Sequence, residues 1–431
     1  MSEPGASRTE KQAVLDLAAR YVCPGRVNTF AMLGIQPVMG RREGHYFWDL
    51  DGRRLFDVHL NGGTFNLGHR NPEILAALHA AADRYDIGNH HLPSGPRARL
   101  AQALARGMPG DLRYTVFTPS ASEANDVAIK SARKATGRRG IVSLLGSYHG
   151  HTGLSLAAGD VQNAAYFLSE GSPGDFVQVP FNDLPAMRAV LAGGDVAAVI
   201  LETIPATYGF PLPAPGYLAG VKALCEECGT LYVADEVQTG LGRTGWMWAV
   251  EGYGVEPDIL VTGKGLSGGL YPMAAAVLSE RAGGWLADNG WGHVSTFGGA
   301  EIGCEVTLKV LEILARPGVL ENARAMSDLL GAGLEDIRAR HPFLVEIRRR
   351  GLVMGLRFDH ELAGPMMTAA GYEVGLWAFF AAFERSVLQF KPGILIDRAE
   401  CEELLGLVEE AIALCESRLG RGTSARPLRA P

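Results

Sequence analysis

Chemistry that needs a free amine has few places to start in this chain. Seven of its 40 basic residues are lysines, at positions 11, 130, 134, 222, 264, 309 and 391; the rest are arginines. Lys130, Lys134, Lys222 and Lys309 fall in helical patterns whose solvated faces explain them, and Lys11 lies near the amino end. Lys264 is different. Asp258-Ile259-Leu260-Val261-Thr262-Gly263-Lys264-Gly265 puts it at the end of an apolar strand, between glycines. Partial burial there disfavours the ammonium and frees the amine to attack a carbonyl, so Lys264 is a candidate Schiff-base former. The segment is not a Walker loop, because neither Ser nor Thr follows Lys264. Lys391 is the other lysine without a surface explanation.

A second apolar run, Leu231-Tyr232-Val233-Ala234, ends in Asp235-Glu236, where parallel sheets bind their ligands. Such carboxylates mark either a surface turn or a buried acid with a partner. A third segment, Thr118-Pro119-Ser120-Ala121-Ser122-Glu123-Ala124-Asn125, follows a strand. Ser120 and Glu123 fit a capping box, and Ala124, Val127, Ala128 and Ala132 continue an apolar helical face. A helix start built of small residues offers free N–H groups and a positive dipole end to a phosphate. The three signals together match the needs of pyridoxal 5'-phosphate: an anchored phosphate, a lysine for its aldehyde, and an acid that keeps its ring nitrogen protonated.

Two other motifs carry less. Gly240-Leu241-Gly242-Arg243-Thr244-Gly245 spells G-x-G-x-x-G, the signature of an NAD-dependent oxidoreductase. Its strand, however, ends well before the first glycine, and Trp246-Met247-Trp248 follows where a helix should open. Cys225 and Cys228 form C-x-x-C inside a helical pattern with no second pair or nearby His, so no metal site is expected.

These residues need a scaffold, and the pattern of the chain supplies an α/β one. Strands are expected at 113–118, 141–145, 197–202, 231–235, 259–263 and 273–278, many of them separated by amphipathic helices. Right-handed crossovers and a mostly parallel sheet follow. Before them lie a helix at 10–21 and a hairpin at 46–58 turning on Asp51-Gly52. Beyond residue 300, helices alternate with strands at 345–349 and 394–396. The expected organisation is an N-terminal helix and hairpin (1–60) belonging to a small domain, and a large cofactor-binding domain (61–300). A smaller C-terminal α+β domain (301–420) and a disordered tail (421–431) complete it.

At 431 residues, 47% apolar and 20% charged, the chain has material for more than one core. A net charge of −7 argues against a nucleic-acid binder. The longest apolar stretches, such as 376–383, are far short of the roughly 20 residues that span a bilayer. The polar first residues do not read as a secretory leader, and six cysteines make no disulfide framework. A cytoplasmic protein without membrane or nucleic-acid partners is expected.

With these residues in view, the chain resembles the class III (omega) aminotransferases, fold-type I pyridoxal-phosphate enzymes, from the hairpin to Ile396. Asp235-Glu236-Val237-Gln238-Thr239-Gly240-Leu241-Gly242-Arg243-Thr244-Gly245 reproduces the family's D-E-V-Q-T-G-x-G-R-T-G, and Pro257 through Lys264 matches its lysine segment. The resemblance implies that Lys264 binds the aldehyde and shuttles the α-proton, Asp235 pairs with the pyridinium nitrogen, and Gln238 lies by the phenolic oxygen. It places Ser120, Ala121 and Ser122 at the phosphate and Glu202 in the cofactor site, with Tyr148 of Tyr148-His149-Gly150-His151-Thr152 stacked on the ring. Thr296 would reach the phosphate from the neighbouring subunit of a two-fold homodimer. His149, His151 and His293 are read as locally hydrogen-bonded. His90 and Tyr208, with Asn89 and His91, fall near the substrate by approximate alignment.

Three positions depart from the family pattern. Ala121 replaces the glycine of the phosphate turn. Gln389, in Gln389-Phe390-Lys391-Pro392-Gly393, stands where an arginine usually grips the substrate α-carboxylate, and Thr207 stands where a second glutamate neutralises that arginine. Lys391 offers a point charge, though strand alternation would turn it to the opposite face. The expected enzyme is therefore an aminotransferase for an amine or amino acid, not a standard α-ketoglutarate/α-amino acid one. Lyase, decarboxylase, racemase or aminomutase chemistry on the same cofactor is the alternative.

Overall fold

The computed structural model describes residues 9–420; the expected disordered tail (421–431) lies outside them. The central sheet has seven strands: β1 (Leu112–Thr118), β2 (Gly140–Leu144), β3 (Phe176–Val179), β4 (Val196–Glu202), β5 (Leu231–Asp235), β6 (Ile259–Thr262) and β7 (Ala274–Ser279). Their order is β1-β7-β6-β5-β4-β2-β3. All neighbours run parallel except β7, which is antiparallel to both β1 and β6. Every residue of β2, β4, β5, β6 and β7 is buried, as expected of strands covered on both faces and written as continuous apolar runs.

Six of the seven strands lie where the apolar runs place them, within one residue at each end. β3 is the exception: Phe-Val-Gln-Val is a four-residue edge strand, half-covered, too short and mixed to stand out from its flanks. The helix Glu10–Tyr21 forms as expected. So does the hairpin of Tyr46–Asp49 and Arg54–Asp57, with Gly52 in the left-handed region at its turn (φ +84°). Met39–Glu43 adds to one side of that hairpin and Leu376–Trp377 to the other, so amino- and carboxyl-terminal segments share one sheet.

A third sheet joins Leu344–Arg350, Val353–Phe358, Val387–Phe390 and Phe379–Phe380. The expected strand at 394–396 does not form. Pro392 and Gly393 end the strand at Phe390; the Ile394 N–H then donates to the Asn66 carbonyl (3.0 Å) and the Ile396 N–H to the Gly393 carbonyl (3.2 Å). Those two amides are spent on a turn and a long-range tie, so no ladder is possible. No helix among the described residues is long and apolar enough to cross a membrane.

Candidate active site

Three strand ends and one helix start converge on a cavity of about 300 Å³. Lys264 follows β6 after a single residue, Gly263, and holds a left-handed backbone (φ +47°), a conformation that costs an L-residue roughly 1–2 kcal/mol. Its side chain enters the cavity and makes no hydrogen bond among the described residues. Burial pushes its ammonium below the usual lysine value, while the carboxylates of Asp235 and Glu202 oppose that shift. Gly62 fits against it. A Cβ at Gly62 would sit 3.0 Å from Lys264 Cε, and the residue's own φ of +74° is one that glycine accepts without strain.

Asp235 ends β5 and Glu202 ends β4, and the two are partners in register. Asp235 is buried; its Oδ2 accepts from His149 Nδ1 (2.8 Å) and Asn125 Nδ2 (3.0 Å), and its Oδ1 from the Val237 N–H (3.1 Å). Glu202 accepts from the Tyr148 and Ala206 N–H groups, each at 3.0 Å. Burial first, then the neighbouring Asp235 charge, pushes its carboxyl up to about 7. Glu236 turns away from the cavity and is fully used by Thr203, Thr239 and the Ala249 and Val250 N–H groups. It fixes the turn after β5 rather than the chemistry.

The helix Ala121–Thr136 begins at the cavity with Ser120 as its cap. Ala121 is its first residue and is not among the positive-φ positions, so the turn does not require the glycine it replaces. Its methyl faces Gly263, where an added Cβ would come within 3.0 Å of it. The Ser122 hydroxyl is held by Thr152 Oγ1 and Ser155 Oγ, both at 2.8 Å. Tyr148 lines the cavity half-buried, and Gln238 presents a buried Oε1 with no partner among the described residues.

Ser120, Ala121, Ser122, Tyr148, Glu202, Asp235, Gln238 and Lys264 thus share one cavity. Other expected residues do not. Thr296 is exposed on a separate segment, and His90 lines a different depression with Arg97, Trp291 and His293. Tyr208 lies with its ring over Gly146, outside the lining. Gln389 and Lys391 are sealed inside: Lys391 Nζ donates to Gln389 Oε1 (2.5 Å) and sits 5.3 Å from the centre of the Phe210 ring. Strand alternation was expected to separate these two side chains. It does not, because Lys391 lies beyond the strand end at Phe390 and folds back. Sequence reasoning assigned no role to Asn125, although it stands one turn into the capped helix, facing Asp235. His149 is hydrogen-bonded as expected, but not locally: its partner is Asp235, 86 residues further along the chain and inside the cavity.

No helix opens at the end of the Gly240–Gly245 run: residues 246–248 intervene before a short 3-10 helix at Ala249–Tyr253. A Cβ at Gly242 would meet Leu320 and Ile394, and one at Gly245 would meet Arg324. These glycines admit the C-terminal helices and leave no dinucleotide cleft. Among the described residues no His/Cys/Asp/Glu group is arranged to hold a metal.

Residues 32–412 match the family model described as aminotransferase class-III. An "uncharacterized aminotransferase" of Archaeoglobus fulgidus is 47% identical over 408 residues, covering 94% of this chain and 96% of that one. The aminotransferase PigE of Serratia sp. is 34% identical over 84% of this chain and 43% of its own length. Among solved structures, taurine:2-oxoglutarate aminotransferase from Bifidobacterium kashiwanohense, in complex with PLP and glutamate, superposes with a TM-score of 0.85 at 27% identity, covering 96% of this chain and all (100%) of that one. With the fold, the strand-end lysine and the match over nearly the whole sequence in agreement, the chain belongs to the class III aminotransferase family and has its fold-type I architecture.

Proposed function

We propose that this cavity binds pyridoxal 5'-phosphate and transfers the amino group of a small amine or amino acid, with Lys264 as the reacting amine. The observation that carries the reading is the unpartnered Lys264 side chain facing the buried Asp235 carboxylate across a cavity that opens on a helix start. The residues fit the group. The Ala121–Thr136 helix start suits the phosphate, the orphan Gln238 Oε1 accepts from a phenolic hydroxyl, and Tyr148 offers a ring face. When bound, the cofactor supplies an electron sink for charge left at the substrate carbon.

The protein's own residues do the rest. Lys264 Nζ would hold the cofactor aldehyde at rest and, once the substrate amine has displaced it there, would be free to take a proton from the amine-bearing carbon and return it; its lowered proton affinity keeps it basic without being permanently charged. Asp235, oriented by His149 and Asn125, keeps a positive ring nitrogen paired in a dry site. Glu202 fixes the Tyr148 backbone beside it. The exposed Thr296 segment suits a two-fold homodimer in which it completes the partner's phosphate site, in a cytoplasmic enzyme. Among the described residues no arginine lines the cavity, which fits a substrate not recognised there by an α-carboxylate.

Borohydride reduction of the yellow holoenzyme should trap a pyridoxyl group on Lys264, and Lys264→Ala should abolish turnover. A label on another lysine would overturn the assignment. Adding an amine should bleach the visible band and a keto acid should restore it; product release without bleaching would count against amino transfer.

A further inference from the structure

Lys264 has no hydrogen bond among the described residues to set its course, and an unanchored lysine stem keeps several rotamers open. What it has instead is a wall. After the strand Arg54–Asp57, and beyond Val58 and His59, come four consecutive residues in the left-handed region: Leu60 and Asn61 at φ +49°, Gly62 at +74° and Gly63 at +92°. Glycine accepts that region freely and asparagine tolerates it, but leucine avoids it. Such a run persists only where its surroundings over-determine it, and strain of this kind gathers at functional sites.

Asp57 supplies the constraint. Its buried carboxylate accepts at Oδ1 from the His59 N–H (3.0 Å) and the Leu60 N–H (2.7 Å), and at Oδ2 from His69 Nε2 (2.8 Å). The Thr64 hydroxyl on the Asn61 carbonyl (3.0 Å) and the Phe65 N–H on the Leu60 carbonyl (3.2 Å) close the far end. The turn so held lies against the lysine. A Cβ on Gly62 would stand 3.0 Å from Lys264 Cε and 3.5 Å from its Cδ, so bare main chain forms the surface on which those methylenes rest. The Gly63 carbonyl oxygen lies 3.2 Å from where a Cβ on Gly265 would sit, so the turn also abuts the backbone just after the lysine. A Cβ on Gly63 itself would meet no atom of the described residues within 4 Å.

We propose that Gly62 is a positioning residue for Lys264: its main chain, held in place by the Asp57-pinned turn, is a backstop that confines the lysine stem and aims Nζ into the cavity. The inference rests on the reading that Lys264 is the reacting amine, and it adds how a side chain without a polar partner is kept in reach of its target. Packing takes the place of a hydrogen bond here. A hydrogen bond to Nζ would have to be broken before the amine could react, whereas a wall behind Cε leaves the nitrogen free.

Two cofactor forms separate this role from a merely structural one. Pyridoxal 5'-phosphate has an aldehyde that condenses with Nζ, releasing water; pyridoxamine 5'-phosphate keeps the phosphate, ring and phenol but cannot react with Lys264. Holoenzyme carrying either form is dialysed to equilibrium and its dissociation constant measured. Gly62→Ala should weaken the aldehyde form about tenfold and the amine form by less than about twofold. Any disturbance of Gln238, whose Oε1 lies 3.7 Å from the added Cβ, falls on both forms alike. Gly62→Asn, which suits a left-handed backbone better, should show the same split should the alanine variant fold poorly. Gly63→Ala strains the same turn without touching Lys264, so it should lower thermal stability and leave the ratio of the two constants unchanged. Equal weakening of both forms by the Gly62 variants, no weakening at all, or the same split from Gly63→Ala overturns the proposal. A parent protein that binds neither form overturns the Lys264 reading itself, and the proposal with it.

Discussion

Replacing Lys391 by methionine tests how the interior treats an unpaired cation. Lys391 is fully buried, and its ammonium meets a neutral amide and an aromatic face but no carboxylate. Burial, then the Arg243 and Lys264 charges, hold its proton affinity well below that of a free lysine, near 10.5; Asp57 opposes this more weakly. In the unfolded chain the same group keeps its ordinary value. Between the lowered folded value and 10.5 the unfolded state therefore binds more protons, and stability rises with pH through that window. The slope for one group reaches about 1.4 kcal/mol per pH unit.

Methionine has a similar length and no proton to lose, so Lys391→Met should remove that slope. It also leaves Gln389 Oε1 without its donor, a cost of about 1–3 kcal/mol. Urea unfolding at a series of pH values from 7 to 10 should then show crossing curves. Near pH 10 the variant should be less stable by roughly 1 kcal/mol. Each unit downward should favour it by up to about 1.4 kcal/mol until it overtakes the parent. Parallel curves, with the variant less stable throughout, would show that Lys391 is ionised in the fold and would refute the reasoning.

Three further outcomes follow from the same contacts. Gln389→Arg sets an unpaired cation beside the Lys391 amine in a dry interior and should destabilise by about 3 kcal/mol or more, read from urea unfolding. Glu202→Gln should flatten the pH dependence of stability between about 4.5 and 7. There the folded parent retains a proton that the unfolded chain has lost, so the parent's stability falls as pH rises and this group's share vanishes in the variant. Gly150→Ala forces a Cβ to within 2.2 Å of Ser122 Oγ at a φ of +115°, and should lower thermal stability and phosphate affinity together by about 2 kcal/mol or more each.

The chemistry and its scaffold were legible locally. Continuous apolar runs ending in Asp235 and Lys264 are strands buried on both faces, and burial of a strand is written in its own residues. The capped start at Ser120 is likewise a short-range pattern, which is why this helix start and the two strand-end groups that line the cavity with it stood out before any geometry. β3 and the turn at Ile394 were not: a four-residue edge strand carries too little pattern, and the Ile394 amide is claimed by Asn66, more than 300 residues earlier in the chain.

The substrate side was decided by tertiary structure alone. Nothing near Lys391 announces that its amine folds back on Gln389 beneath Phe210, because the strand ends one residue before it and the burial comes from distant segments. His90 and Tyr208 lie near the aligned region yet outside the cavity, for the same reason. Sequence determined that Asp235 and Lys264 stand at strand ends, because each follows a locally encoded element; only the packing of remote segments determined what those groups can reach.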